Sequence, residues 1–181
     1  KVMFNEKRLE QKFLMFEKFA LWSIINQTNK KIFKVIIIYD KDLPETFISD
    51  QVKLSQILIN LIGNSIKFTK DGTIWVRVKK QSHKKLKYRL LFEVEDNGIG
   101  ISQEKQDNIF ESFSQAEEST TRNYGGTGLG LQISKALVGL MGGDLRVESK
   151  LGVGSRFYFS LELDQGEAIE KNQYQFTNKY L

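Results

Sequence analysis

The sequence has few of the residue types that build cross-linked or reactive sites. Its 181 residues include no cysteine, one histidine and one proline. The lack of cysteine excludes disulfides and thiolate chemistry, and one histidine cannot form a histidine-rich metal site. No apolar run is long enough to predict a membrane-spanning helix. Hydrophobic residues make up 40% of the chain, which is typical of globular proteins and predicts one domain with a real core.

The charge balance gives little support for nucleic-acid binding. The net charge of +5 is modest, and the lysines around His83 fall in a predicted hairpin connection, residues 81–85, without aromatic residues that stack on bases. We therefore expect no nucleic-acid partner. No secretory signal is visible, so we expect a cytoplasmic domain. Because the chain begins at Lys1 without an initiator methionine, we also expect a fragment or a processed form.

Hydrophobic periodicity predicts an α+β fold, a mixed sheet with helices on one face. The apolar, β-branched run at 32–39 predicts a central strand, and Asp50 is a predicted N-cap. The elements expected from the sequence are a leading helix within 5–27, helices at 52–69, 102–108 and 127–141, and strands at 32–39, 46–49, 73–80, 87–95, 144–149 and 155–163.

A glycine-rich stretch, RNYGGTGLGL at 122–131, runs directly into a predicted helix. Glycine lets backbone N–H groups approach a ligand closely, and a helix N-terminus adds unpaired donors. The combination favours phosphate binding. Gly130 is followed by Leu131 and Gln132, which does not fit a P-loop, and the dinucleotide-binding glycine spacing does not fit either. The alternative is a flexible loop that is rich in glycine.

A stripe of polar side chains follows the predicted helix at 52–69. Gln56, Asn60, Asn64 and Lys67 lie three or four residues apart, on a face separate from the apolar one. Amide oxygens at Asn60 and Asn64 suit Mg²⁺, which takes oxygen ligands and keeps several waters. Lys67 suits phosphate. The alternative interpretation is a solvated helix face.

The stretch DNGIG, 96–100, follows a predicted strand directly. A carboxylate at a strand end beside a glycine turn can accept a hydrogen bond from a ligand's amino group. The alternative is an Asx turn, in which Asp96 bonds only to its own backbone.

Four blocks, in this order, resemble the ATP-binding catalytic domain of sensor histidine kinases of the hybrid type. This domain belongs to the GHKL group that includes gyrase, MutL and heat-shock chaperones. DQVKLSQILINLIGNSIKFT resembles the N box, EDNGIGIS the first glycine box, IFESFSQ the F box and RNYGGTGLGLQIS the second glycine box. The resemblance covers about residues 30–163. It implies the GHKL (Bergerat) ATP-binding fold, a two-layer α/β sandwich, and it implies ATP and Mg²⁺ as cofactors.

The resemblance also implies roles for individual residues. Asn64 is the implied Mg²⁺ ligand, with Asn60 as the second candidate, and Asp96 accepts from the adenine amino group. Phe110 and Phe113 anchor the ATP lid, residues 111–124. The implied catalytic residues are Asn60, Asn64 and Lys67. The implied ATP-binding residues are these three with Phe68, Asp96, Gly98, Gly100, Ile101, Phe110, Phe113, Arg122, Tyr124, Gly125, Gly126, Thr127, Gly128, Leu129, Gly130 and Leu131.

One position distinguishes kinases from ATPases within the group. The ATPases carry a glutamate that activates water at the position matched by Asn60, and an amide cannot act as that base. The resemblance therefore implies γ-phosphoryl transfer to a histidine, rather than hydrolysis. A GHKL ATPase and a non-catalytic nucleotide-sensing domain remain the alternatives. Two departures from the family pattern are conservative: Ser65 where alanine is usual, and Lys53 where arginine is common.

The acceptor histidine is not expected within this chain, because His83 lies in the predicted hairpin connection. We expect residues 1–30 to connect to a dimerisation and phosphotransfer module, 31–164 to form the catalytic domain and 165–181 to be a tail or linker. The implied partners are that helical module and a downstream receiver domain. The isolated domain is expected to be monomeric, and the full-length protein homodimeric, with its attachment to a membrane left open.

Overall fold

The computed structural model describes residues 33–106, 108–111 and 129–167. The predicted leading helix, most of the predicted lid and the chain beyond residue 167 lie outside these ranges. The described elements, in chain order, are β1 (Phe33–Tyr39), β2 (Phe47–Ile48), α1 (Gln51–Phe68), β3 (Gly72–Lys84), β4 (Lys87–Asp96), α2 (Gln103–Gln106), α3 (Gly130–Leu140), β5 (Arg146–Lys150) and β6 (Gly154–Gln165).

Six strands of the described part form one mixed sheet. Its order is β1-β3-β4-β6-β2, and β5 also pairs with β6. β1 runs parallel to β3, whereas the other pairs are antiparallel. The predicted mixed sheet and the antiparallel β3–β4 hairpin are therefore confirmed.

Two predictions about strands were wrong in detail. The run at 32–39 predicted a central strand, but β1 ends the strand order and pairs with β3 alone among the described strands. An apolar run does not reveal which of its faces is covered, and Ile38 remains 43% exposed. The predicted connection at 81–85 mostly belongs to β3, which continues to Lys84. Lys85, with φ at 57°, makes the tight turn instead.

α1 carries the three predicted catalytic residues, Asn60, Asn64 and Lys67, and its boundaries follow from its sequence. Asp50 caps its start, with the Oδ1 atom accepting a hydrogen bond from the backbone N–H of Lys53 at 3.0 Å, as the sequence predicted. At the other end, the backbone N–H of Thr69 donates to the carbonyl of Ser65. Between these ends, Ile57, Leu61 and their neighbours form a broad apolar stripe.

The core lies between this stripe and one face of the sheet. α1 packs on β3 and β4 and against α3. The core comprises Ile57, Leu58, Leu61, Ile62 and Ile66 of α1, Ile74, Val76 and Val78 of β3, Leu90, Phe92 and Val94 of β4, Phe157, Phe159, Leu161 and Leu163 of β6, and Val35, Leu43, Val138 and Leu145. The predicted arrangement of helices on one face of the sheet is thus confirmed.

The other face of the sheet, here called the outer face, carries charged side chains. Its centre is Glu93 of β4, which is only 1% exposed. Lys79 lies 2.6 Å from its Oε2 atom, and the Nε of Arg156 donates to its Oε1 atom at 2.7 Å. Arg156 also pairs with Glu148 at 2.9 Å. None of the helices in the described ranges is long and apolar enough to cross a membrane.

Candidate nucleotide site

A buried carboxylate lies at the end of β4. Asp96 is 6% exposed. Its Oδ1 accepts a hydrogen bond from the backbone N–H of Gly98 at 2.9 Å, and its Oδ2 accepts one from the Ser65 hydroxyl at 3.0 Å. Burial raises the pKa of Asp96, and these neutral donors only partly oppose that effect. Because a carboxylate has about four acceptor positions, Asp96 can still accept from a ligand.

The space beside Asp96 is kept open by a glycine. A methyl group on Gly98 would overlap the carbonyl oxygen of Phe68 and would lie 2.9 Å from both Asp96 Oδ1 and Thr69 Oγ1. The Thr69 hydroxyl is fully buried and has no hydrogen-bond partner within the described ranges. A buried hydroxyl without a partner calls for water or a ligand. A polar heterocycle such as adenine therefore fits the chemistry of this site.

The loop after Asp96 is fastened to β5. The N–H of Ile101 donates to Ser149 Oγ at 2.7 Å, and Gln106 Nε2 donates to the carbonyls of Ile101 and Ser149. Gly100 has φ at +67°, and a methyl group there would overlap the carbonyl oxygen of Lys150. The structure therefore places Gly100 and Ile101 where the loop attaches to β5, which fixes the position of the loop relative to Asp96.

The amide stripe of α1 meets the start of α3. Asn60 Nδ2 donates to Ser134 Oγ at 2.8 Å, and a methyl group on Gly130 would overlap the Asn60 amide. Asn60, Asn64 and Lys67 are all half-buried, whereas Gln56 is exposed. Asn60 thus lies in a helix–helix contact rather than on a solvated face. The contact brings the amide stripe to the last glycine of the glycine-rich stretch.

The charge at this end of α1 comes from Lys67. Its Nζ lies 4.9 Å from the centroid of the Phe68 ring, a distance at which a cation is attracted to the aromatic face. Burial lowers the pKa of Lys67. An anion bound beside the ammonium group would oppose this effect and favour the charged form. The half-buried amide of Asn64, one turn along the helix, offers the oxygen donor that suits Mg²⁺.

The remaining predicted site residues fall into two groups. Phe110 packs against the core and carries Lys135 Nζ 4.8 Å above its ring. Leu129 is 44% exposed just before α3, and Leu131 packs against the core. The residues outside the described ranges are Phe113, Arg122, Tyr124, Gly125, Gly126, Thr127 and Gly128.

Sequence reasoning missed several supporting residues. Thr69 looks like an ordinary helix end in the sequence, and Ser65 stands out only as a departure from the family pattern. Gln106 belongs to an element with no visible motif, and nothing in the strand sequence around Ser149 singles that residue out. Ser65 contacts Asp96, 31 positions away, and Ser149 and Gln106 hold the loop after Asp96. Thr69 matters through its burial beside Gly98. No local pattern signals such contacts.

Comparison with known proteins identifies the family. Residues 49–165 match the family described as histidine kinase-, DNA gyrase B- and HSP90-like ATPases. The chain is 47% identical over 125 residues to hybrid signal transduction histidine kinase B of Dictyostelium discoideum, covering 69% of this chain and 6% of that protein. It is 43% identical over 123 residues to the signal transduction histidine-protein kinase BarA of Escherichia coli (strain K12), covering 68% of this chain and 13% of that protein.

Solved structures agree with this assignment. Full-length ShkA in complex with AMPPNP has a TM-score of 0.62 and 32% identity, covering 75% of this chain and 27% of that one. The mycobacterial sensor histidine kinase MprB, at 23% identity, supports the fold, with a TM-score of 0.62 over 81% of this chain and 93% of that one. By the coverages given above, this chain matches only a small share of BarA and of the Dictyostelium kinase. The resemblance seen in the sequence is confirmed: the chain belongs to the family of histidine kinase-, DNA gyrase B- and HSP90-like ATPases, as an ATP-binding catalytic domain of the histidine kinase type.

Proposed function

We propose that this domain binds Mg-ATP and positions its γ-phosphoryl group for transfer to a histidine on a separate helical module. The observation that carries the proposal is the buried Asp96 carboxylate beside the unpartnered Thr69 hydroxyl, in a space that Gly98 keeps open. The similarity to hybrid kinases supports a helical phosphotransfer module and a receiver domain as partners, within a homodimeric protein. The domain itself works in the cytoplasm.

The two ends of the site have different tasks. At the adenine end, Asp96 accepts a hydrogen bond from the exocyclic amino group. At the phosphate end, Asn64 holds Mg²⁺ and Lys67 contacts the phosphates, together with the glycines that precede α3. Mg²⁺ supplies positive charge that screens the phosphate oxygens. Because the acceptor imidazole is itself the nucleophile, the side chains of this domain position the groups and stabilise charge.

Asn60 supports transfer rather than hydrolysis. Its amide donates to Ser134 and packs against Gly130, and it cannot take up a proton near neutral pH. Its described neighbours, Ser134 and Gly130, thus fix the position of the Asn60 amide where α1 meets α3. Neither they nor Asn60 supply a base that could activate water for hydrolysis.

The adenine assignment is tested by Asp96→Asn. The amide can keep both existing bonds, because its oxygen accepts from Gly98 and its nitrogen donates to a reoriented Ser65 hydroxyl. It no longer offers a second oxygen to the adenine amino group. We expect ATP affinity to fall about ten- to a hundredfold, with the circular dichroism spectrum unchanged. Calorimetry with ATP and GTP measures the effect, and undiminished ATP affinity would show that Asp96 does not bind adenine.

The phosphate assignment is tested by Asn64→Ala and Asn60→Glu, in a transfer assay beside an ATPase assay. The acceptor is a supplied helical histidine module. Asn64→Ala should reduce phosphotransfer at least tenfold while ATP affinity changes less, since the adenine end is intact. Asn60→Glu restores the carboxylate of the ATPases and should raise hydrolysis relative to transfer. Wild-type transfer by Asn64→Ala would refute the metal role. Steady hydrolysis by the unmodified domain would favour an ATPase, and binding without either activity would favour a nucleotide sensor.

A further inference from the structure

Ser65 contributes a buried hydroxyl beside the Asp96 carboxylate. It lies on the face of α1 that meets the sheet and is 1% exposed. Its Oγ donates to Asp96 Oδ2 at 3.0 Å, across 31 residues of sequence. An alanine could not make this bond. The hydroxyl therefore links α1 directly to the carboxylate of the nucleotide site.

The polar groups around Asp96 come from α1, the loop after β4, β6 and β4 itself, while β3 places the apolar Ile74 beside it. α1 supplies the Ser65 hydroxyl, the following loop supplies the Gly98 N–H, β6 supplies the Ser155 backbone, and Glu95 lies beside it in β4. Only Glu95 in this set is titratable, and its charge opposes ionisation of Asp96. The donors are all neutral, and Ser65 is the one that donates from a side chain. It is thus the donor that a substitution can remove without altering the backbone.

We propose that Ser65 is a positioning residue of the nucleotide site, which keeps the Asp96 carboxylate ionised and oriented to accept from the 6-amino group of adenine. The inference rests on the proposed function of Asp96. A hydroxyl on a well-packed helix fixes one carboxylate oxygen, so the plane of the carboxylate cannot rotate freely. A hydrogen bond to the charged form also stabilises that form against burial.

The test compares Ser65→Ala with Ser160→Ala, a matched control. Ser160 lies in β6, and its hydroxyl makes a 2.8 Å bond to Gln81, well apart from Asp96. Each variant is titrated with ATP and with purine riboside triphosphate, which lacks the 6-amino group. We expect Ser65→Ala to bind ATP about three- to tenfold more weakly. It should bind the purine analogue nearly as the wild type does, so the preference for ATP shrinks. Ser160→Ala should keep the wild-type preference.

A pH series provides a second readout that a purely structural role would not change. ATP binding by the ionised carboxylate weakens as pH falls through the pKa of Asp96. Without the Ser65 hydroxyl that pKa rises further, so the acid limb should move upward by about one pH unit. The ¹³C shift of the Asp96 carboxyl, followed against pH in the nucleotide-free domain, reports the same change directly. Ser65→Cys, a weak donor of similar size, should fall between serine and alanine.

The outcomes separate this inference from the proposed function. If Ser65→Ala or Ser65→Cys keeps the wild-type preference for ATP and the wild-type pH profile, the inference is wrong, even where the melting temperature has changed. If Asp96→Asn itself keeps the preference for ATP over the purine analogue, the adenine assignment fails first. Ser65→Cys keeps the test available if the alanine variant folds poorly.

Discussion

Two buried carboxylates on one strand have opposite surroundings. Asp96 and Glu93 are three residues apart in β4, so they lie on opposite faces of the sheet. Asp96 faces the helices and is held by neutral donors from Ser65 and Gly98. Glu93 faces outward and is held by Lys79 and Arg156.

The difference shows in the pKa values. Burial raises the pKa of Asp96. Burial would raise that of Glu93 as well, but the hydrogen bonds and charges of Lys79 and Arg156 bring its pKa below the usual value. A carboxylate neutralised by two cations is suited to holding strands together. A carboxylate held by neutral donors keeps its negative charge and can still accept a hydrogen bond from a ligand. The burial of that charge costs some stability.

The largest expected effect on stability comes from Glu93→Ala. It leaves Arg156 and Lys79 without the buried partner, and breaking a buried pair costs about 3–5 kcal/mol. Because Lys79 is 46% and Arg156 33% exposed, water recovers part of this, and we expect a loss of about 2–3 kcal/mol in the free energy of unfolding. Urea unfolding at pH 7 measures it.

The same variant tests the division of roles between the two carboxylates. ATP affinity of folded Glu93→Ala should stay within about twofold of wild type, a change of less than ~0.5 kcal/mol. Glu162→Ala, an exposed carboxylate of β6, is the control for stability and should change it little. If Glu93→Ala weakened ATP binding as much as Asp96→Asn does, the outer face would belong to the site.

The sequence predicted the elements of this fold and the polar stripe of α1, because periodicity and capping are local. Asp50 and the helix after it follow from neighbouring residues alone. Of the two carboxylates, Asp96 alone stood out in the sequence, because a glycine turn follows it.

The sequence could not show that the two carboxylates have different surroundings, because their hydrogen-bond partners are far away along the chain. Arg156 lies 63 residues from Glu93, and Ser65 lies 31 residues from Asp96. The edge position of β1 was missed for the same reason, since strand order depends on pairings between segments far apart in the chain. The burial of Thr69 without a partner depends on the loop that folds over it, and no spacing rule predicts that.

A smaller effect, of opposite sign, is expected from Asp96→Asn. The folded pKa of Asp96 is raised, so ionisation at neutral pH opposes folding. As pH falls through that pKa, the folded state takes up its proton before the unfolded state does, and the penalty of burying the charge disappears. The neutral amide should therefore be more stable than wild type by about 1 kcal/mol at pH 7, and the gain should shrink in acid.

Glu93 should show the reverse pH course. Its folded pKa is lowered, so its contribution to stability is present above the unfolded pKa and is lost as pH falls through the folded one. Urea midpoints of Asp96→Asn, Glu93→Ala and wild type from pH 7 down to about pH 3 measure both trends, because the loss at Glu93 begins only below the usual glutamate pKa of about 4.3. A wild type that is more stable than Asp96→Asn at pH 7 would mean that the neutral donors fully offset the burial of Asp96.

The smallest effect should come from Glu148→Ala, which removes the exposed partner of Arg156. The side chain of Glu148 is 59% exposed, and its oxygen lies 2.9 Å from Arg156 Nη1. Exposed pairs contribute about 0–1 kcal/mol and weaken with salt, so we expect a loss of about 0.5 kcal/mol that disappears in about 1 M NaCl. The loss in Glu93→Ala should persist there, because a 1% exposed carboxylate is shielded from mobile ions. A loss in Glu148→Ala that also persisted in salt would mean that Glu148 orients Arg156 toward Glu93. The outer face would then act as one coupled network of charges, in contrast to the separate neutral donors that hold Asp96. Denaturant titrations of both variants at low and high salt distinguish the two cases.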